Sequence, residues 1–152
     1  MIVRKMSVIV CPIRGGVESK VTVARAIAVA QATRLPLHFL YVVNPDLLLA
    51  IGSDDMDALF ESVRQMGLSV LGAAKAWAES QGISSQGVVR HGSVKDEIAA
   101  VCQDLDPAYL VLGRPQGRKP ENAFTWALLE TFVYQIEQQT RVSAVLSGGV
   151  GW

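Results

Sequence analysis

Two short stretches concentrate the residues with which this chain could do chemistry. Pro12-Ile13-Arg14-Gly15-Gly16 follows one apolar run, and Gly113-Arg114-Pro115-Gln116-Gly117-Arg118-Lys119-Pro120 follows another. Glycines let a backbone approach a phosphate closely, and a helix starting just beyond adds the positive end of its dipole. Arg14, Arg114, Arg118 and Lys119 would supply charge, so the chemistry suggested is the holding of an anion. Two solvated turns that need glycine for positive φ would carry the same residues, and both alternatives stand.

Other reactive side chains are scattered. Cys11 and Cys102 have neither a Cys-x-x-Cys pattern nor a histidine nearby, which fits reduced thiols better than a disulfide framework or a zinc site. Cys11 adjoins the first glycine loop, so a redox-sensitive thiol competes there with a small buried strand residue. His38 falls within an apolar run and His91 ends one, without a second ligand at metal-binding spacing. Asp54, Asp55 and Asp57 suit the start of a helix and require no metal. No Ser-His-Asp, Cys-His or paired-carboxylate arrangement emerges, so no catalytic residues are assigned and the sequence does not point to an enzyme.

These groups need elements to position them. Apolar runs alternate with helix-period segments from end to end, the pattern of a parallel sheet covered on both faces, here a single doubly wound α/β domain over 1–152. Strands are expected at 7–11, 37–43, 88–91, 109–112 and 142–146. The first helix is expected from Ser19, as its cap, to Thr33, with Val23, Ile27 and Ala30 facing the core. Ser53 is expected to cap a second helix whose buried stripe runs through Met56, Phe60, Val63, Met66, Val70, Ala74 and Trp77. That helix would be weakened by Gly67 and Gly72 and stopped by Gly82. Ser93-Val94-Lys95-Asp96 resembles a capping box opening a third helix, with Ile98, Val101 and Leu105 inward. A fourth helix would bury Phe124, Leu128, Leu129, Phe132, Val133 and Ile136. In such a sheet ligands bind beyond the C-terminal ends of the strands, where both glycine loops fall.

Composition narrows the partners. At 152 residues, half of them apolar and 18% charged, the chain can bury a substantial core. Fourteen basic residues offset fourteen acidic ones, so no overall field attracts nucleic acid or an anionic membrane. The longest apolar-rich stretch, 35–51, is broken by Pro36, His38, Asn44, Pro45 and Asp46 and falls short of the roughly 20 apolar residues of a membrane span. The opening residues lack the apolar core of a secretory signal. A cytoplasmic protein without membrane insertion is expected.

Several segments together resemble universal stress proteins: the first strand and helix, Leu40-Tyr41-Val42-Val43, Gly92-Ser93-Val94, Tyr109-Leu110-Val111-Leu112-Gly113 and Leu128-Leu129-Glu130-Thr131. The resemblance spans nearly the whole chain in order. It implies a five-stranded parallel sheet ordered 3-2-1-4-5, a role in the stress response, homodimerisation and, in one branch of the family, ATP binding. That branch carries an Asp after the first strand, then Gly-x-x-Gly and a later Gly-Ser or Gly-Thr after the fourth. Here Ile13 stands at the Asp position, Gly113 and Gly117 are separated by one residue too many, and Glu130-Thr131 falls over Gly-Ser. Gly113, Gly117, Thr131 and Val42, whose backbone faces the adenine in the family, remain.

The resemblance therefore implies a regulatory or binding module with a degenerate nucleotide site and no required cofactor. A sensor or weak ATPase holding ATP or AMP, and a partner subunit of a transporter or kinase, are the alternatives. Arg14-Gly15-Gly16-Val17-Glu18-Ser19 also resembles, in degenerate form, the pyrophosphate loop of ATP pyrophosphatases. By the family's strand order the fifth strand is a sheet edge. Val142, Ala144, Val145 and Leu146 would then form a homodimer interface.

Overall fold

The computed structural model describes residues 7–45, 55–113 and 126–147. They form β1 (Ile9–Pro12), α1 (Gly16–Thr33), β2 (Leu37–Val43), α2 (Met56–Ser80), β3 (Ser85–His91), α3 (Val94–Leu105), β4 (Tyr109–Gly113), α4 (Trp126–Gln139) and β5 (Ser143–Ser147). The strands make one five-stranded sheet in the order β3-β2-β1-β4-β5, each neighbouring pair parallel. This is the order that the resemblance implied.

Alternation along the strands sorts the core into two layers. Ile9, Cys11, Phe39 and Val111 face α1 and α2, meeting Val23, Ala26, Ile27, Ala30, Leu71, Ala74 and Ala78. Val10, Leu40, Leu110 and Leu112 face α3 and α4, meeting Ile98, Val101, Cys102, Leu129, Phe132 and Ile136. Each of these larger aliphatic or aromatic side chains, taken fully out of water, contributes about 1.5–3 kcal/mol before the entropy of ordering is subtracted. The stripe expected on α1 is buried as the spacing indicated. Arg34, left-handed at φ 60°, ends that helix and returns its amide to the Ala30 carbonyl at 2.7 Å.

Several expectations need correction. α1 begins at Gly16 rather than after Ser19, so Ser19 lies inside its first turn. β3 begins at Ser85, because its seven residues pair with β2 from Leu37↔Ser85 to Val43↔His91, whatever their apolar content. Ser93 occupies the N-cap of α3 but makes no side-chain capping bond. The cap of α2 is Asp55, whose carboxylate accepts from the Ala58 amide at 3.0 Å, while Ser53, Asp54 and Phe124 lie outside the described residues.

The stripe of α2 is also rotated from the one expected. Gly67, Leu71, Ala74 and Ala78 face the sheet, whereas Met66 is 61% exposed and Trp77 38%. Small residues win that face because the helix lies close to the strands. A Cβ on Gly67 would come within 2.6 Å of the Tyr41 ring, and one on Gly87 of β3 within 3.2 Å of Leu71. Gly67 is therefore a contact point, not a weak one. On α4, Leu128 is likewise exposed while Leu129, Phe132 and Ile136 are buried.

Candidate functional site

Beyond the C-terminal end of β1 the chain makes the turn that sequence marked for an anion. Ile13 extends the β1 ladder by one bond, its amide donating to the Leu40 carbonyl at 2.8 Å. Its side chain is 4% exposed and belongs to the core layer under α1 and α2. Arg14 is exposed at its side chain, but its amide and that of Gly15 both donate to Ser19 Oγ, at 2.9 and 2.8 Å. Ser19 thus engages from within α1 two backbone donors that the loop could otherwise turn toward an anion. Gly15 and Gly16 hold φ of 90° and 81°, the left-handed side that disfavours any other residue. Gly15 is also pressed by α2: a Cβ there would stand 3.0 Å from Val70 Cγ2.

The end of β4 meets α1 through a buried polar contact. Gly113 faces Ser147 directly across the β4–β5 ladder. Over that pair sits Thr22, whose Oγ1 would be 2.8 Å from any Cβ at position 113. Ser147 Oγ lies at hydrogen-bond distance from Thr22 Oγ1, 3.0 Å, and from the Leu112 carbonyl oxygen, 3.3 Å, and Thr22 and Ser147 are each only 4% exposed. Arg114, Gly117, Arg118 and Lys119 lie outside the described residues. Glu130 and Thr131 are exposed on α4.

A third group of contacts orders the ends of β2 and β3. Val42 is half-buried, pairs with Arg90 and packs on the α3 and α4 side of the sheet. Arg90 Nε donates to Glu97 Oε1 at 2.9 Å in a partly buried ion pair. Gly92, at φ 144°, admits that carboxylate: a Cβ there would lie 3.0 Å from Glu97 Oε2. The His91 ring packs on Phe60 of α2 with centroids 4.6 Å apart.

Titration follows burial. Burial, with the Arg90 guanidinium adding to it, holds His38 below the ordinary histidine range. The Cys11 thiol is fully buried and pushed far up, and Cys102 is pushed up to about 12. Neither offers the thiolate that oxidation or metal binding needs, so Cys11 is the small buried strand residue of the two alternatives. Among the described residues no group of three or more His, Cys, Asp or Glu could hold a metal ion. No helix among them is long and apolar enough to cross a membrane.

With this geometry in view, a model of the universal stress protein family matches residues 6–127. The chain belongs to the universal stress protein family. Solved universal stress proteins share its fold. UspA from Lactobacillus plantarum is 14% identical with a TM-score of 0.73, over 95% of this chain and 99% of that one. The Archaeoglobus fulgidus protein in complex with dAMP is 11% identical with a TM-score of 0.59, over 95% and 98%. A universal stress protein in complex with cAMP is 19% identical with a TM-score of 0.62, over 95% and 98%. No curated protein matches the sequence.

Within this universal stress protein, then, Gly15, Gly16 and Gly113 share the C-terminal end of the sheet beside the β1–β4 switch point. Ile13 adjoins them with its side chain turned into the core, and Val42 lies on the other layer. Sequence reasoning passed over Thr22 and the true role of Ser19, and it ended the fifth strand one residue short of Ser147. Thr22 did leave a signal: it is a hydroxyl beside Val23 on the core stripe of α1, where an apolar residue would be expected.

Proposed function

We propose that this universal stress protein is a regulatory or binding module of the stress response, acting in the cytoplasm with little affinity for ATP. The observation that carries the proposal is Ile13. At the position where the family's ATP-binding branch carries an Asp, an apolar side chain is buried in the core and offers no acceptor to a ligand. The engagement of the Arg14 and Gly15 amides by Ser19 supports the same reading, since those donors are already paired. A thermal-shift titration with magnesium ATP, ADP and AMP tests it. A ligand at a hundred times its dissociation constant adds about 2.7 kcal/mol of stability. No shift of that size is expected at millimolar nucleotide, and a rise of several degrees would refute the proposal.

A nucleotide-binding sensor is the second reading, favoured by the relatives solved with dAMP and cAMP and by the glycines kept at the ends of β1 and β4. It would use Arg14 and Gly15 with Gly113, Arg114, Gly117, Arg118, Lys119 and Thr131. Unchanged binding of inorganic phosphate in an Arg114→Ala, Arg118→Ala double variant would exclude the basic loop.

Self-association through β5 belongs to the same proposal. β5 pairs with β4 alone among the described residues, which leaves its outer backbone groups available to a second copy. Val142 is 3% exposed and already lies in its own core. Pairing would thus rest on the β5 backbone, with the partly exposed Ala144, Val145 and Leu146 alongside.

A further inference from the structure

Thr22 and Ser147 are the buried polar residues among those described, and they are bonded to each other across 125 positions of sequence. A core normally excludes lone hydroxyls, because an unpaired one costs the whole of its desolvation. Their neighbours give the pair a specific place. Ser147 is the last residue of the edge strand β5, Gly113 is the last of β4, and the two are ladder partners. Thr22 lies in the second turn of α1, the helix that begins at the first glycine turn. A side chain at 113 would collide with Thr22 Oγ1, so this contact also accounts for the glycine there.

We propose that Thr22 and Ser147 are positioning residues. As a buried hydroxyl pair they fix the exit of β4 against α1 and make the end of β5 part of the same link. This rests on the reading of the β1–α1 turn and the end of β4 as the candidate site and of β5 as the assembly edge. Through the pair, an event at the edge of the sheet reaches Gly113 directly and Gly15 by way of α1, whose Ser19 accepts from the Gly15 amide. Apolar replacement breaks the link while keeping the shape: Thr22→Val is nearly isosteric, and Ser147→Ala removes one atom. Thr22→Ser keeps the hydroxyl and serves as the rescue.

Amide hydrogen exchange on the full chain, resolved by NMR, tests the link. In Ser147→Ala and Thr22→Val, exchange at Arg14, Gly15 and Gly113 is expected to rise about tenfold beyond the change at Ile9 to Cys11, which reports global stability. Thr22→Ser should stay near the parent chain. If the three amides move only in proportion to the central strand, or if Thr22→Val exchanges like the parent, the proposal is wrong. Should Thr22→Val fail to fold, Ser147→Ala decides alone. Titration of the parent chain with inorganic pyrophosphate separates the two claims: unmoved Gly15 and Gly16 amides would remove the anion reading of the turn, while the exchange result would still decide the link.

Discussion

At the scale of single residues, the direction in which each side chain points decides whether it can serve a ligand or the core. Ile13 is read from sequence as part of the anion site and Cys11 as either a redox-sensitive thiol or a small buried strand residue, and both are core. Their types foretold it: an isoleucine and an uncharged thiol next to a central strand lose more by facing water than by packing. His38 gives the residue scale its pH dependence. Its burial beside Arg90 favours the neutral ring, so the folded chain binds its proton less readily than the unfolded chain does. Stability from this group is complete above the ordinary histidine value, near pH 6.5, and is lost as pH falls through that value toward the lower folded one. Urea unfolding at about pH 7.5 and about pH 5 should therefore show a larger acid loss in the parent chain than in His38→Gln. Equal losses in the two would contradict the assignment.

At the scale of elements, α2 is the instructive case. Two glycines in one helix carry opposite consequences. Gly72 has nothing within 4 Å of a would-be Cβ, so Gly72→Ala should gain the helix-propensity difference of about 0.8–1.0 kcal/mol. At Gly67 the same gain meets a collision with Tyr41 at 2.6 Å, and overpacking costs about 1–3 kcal/mol, so Gly67→Ala should be a net loss. Denaturant midpoints for the two variants, moving in opposite directions, check this. Sequence could see that α2 exists and that Gly82 ends it, because length and period survive any rotation of the helix. It could not see the buried face, since Met66 and Trp77 keep helical spacing as well as Gly67 and Leu71 do. Only the approach distance to the sheet selects between them. The early start of α1 was hidden for a similar reason: Ser19 is a good cap by type, but its hydroxyl turns back to the preceding loop. The strands were legible where both faces are buried, as in β2, and least so at the edge, where β3 reads Ser85-Gln86-Gly87 before its valines.

At the scale of the whole molecule, the parallel sheet ordered β3-β2-β1-β4-β5 leaves two edges and one C-terminal rim, and the proposed self-association and binding belong to one edge and to the rim. The β5 edge predicts a homodimer in light scattering at high micromolar concentration, weakened by Ala144→Pro, which removes a backbone donor. A stable species of 16.4 kDa would contradict it. At the rim, universal stress protein architecture is kept, and Ile13, a core residue, stands where the resemblance places the Asp of the family's ATP-binding branch. The most direct test is equilibrium dialysis of radiolabelled magnesium ATP against the purified chain. The account predicts a dissociation constant no tighter than about 1 mM, a binding free energy near −4 kcal/mol; stoichiometric binding with a micromolar constant would contradict it.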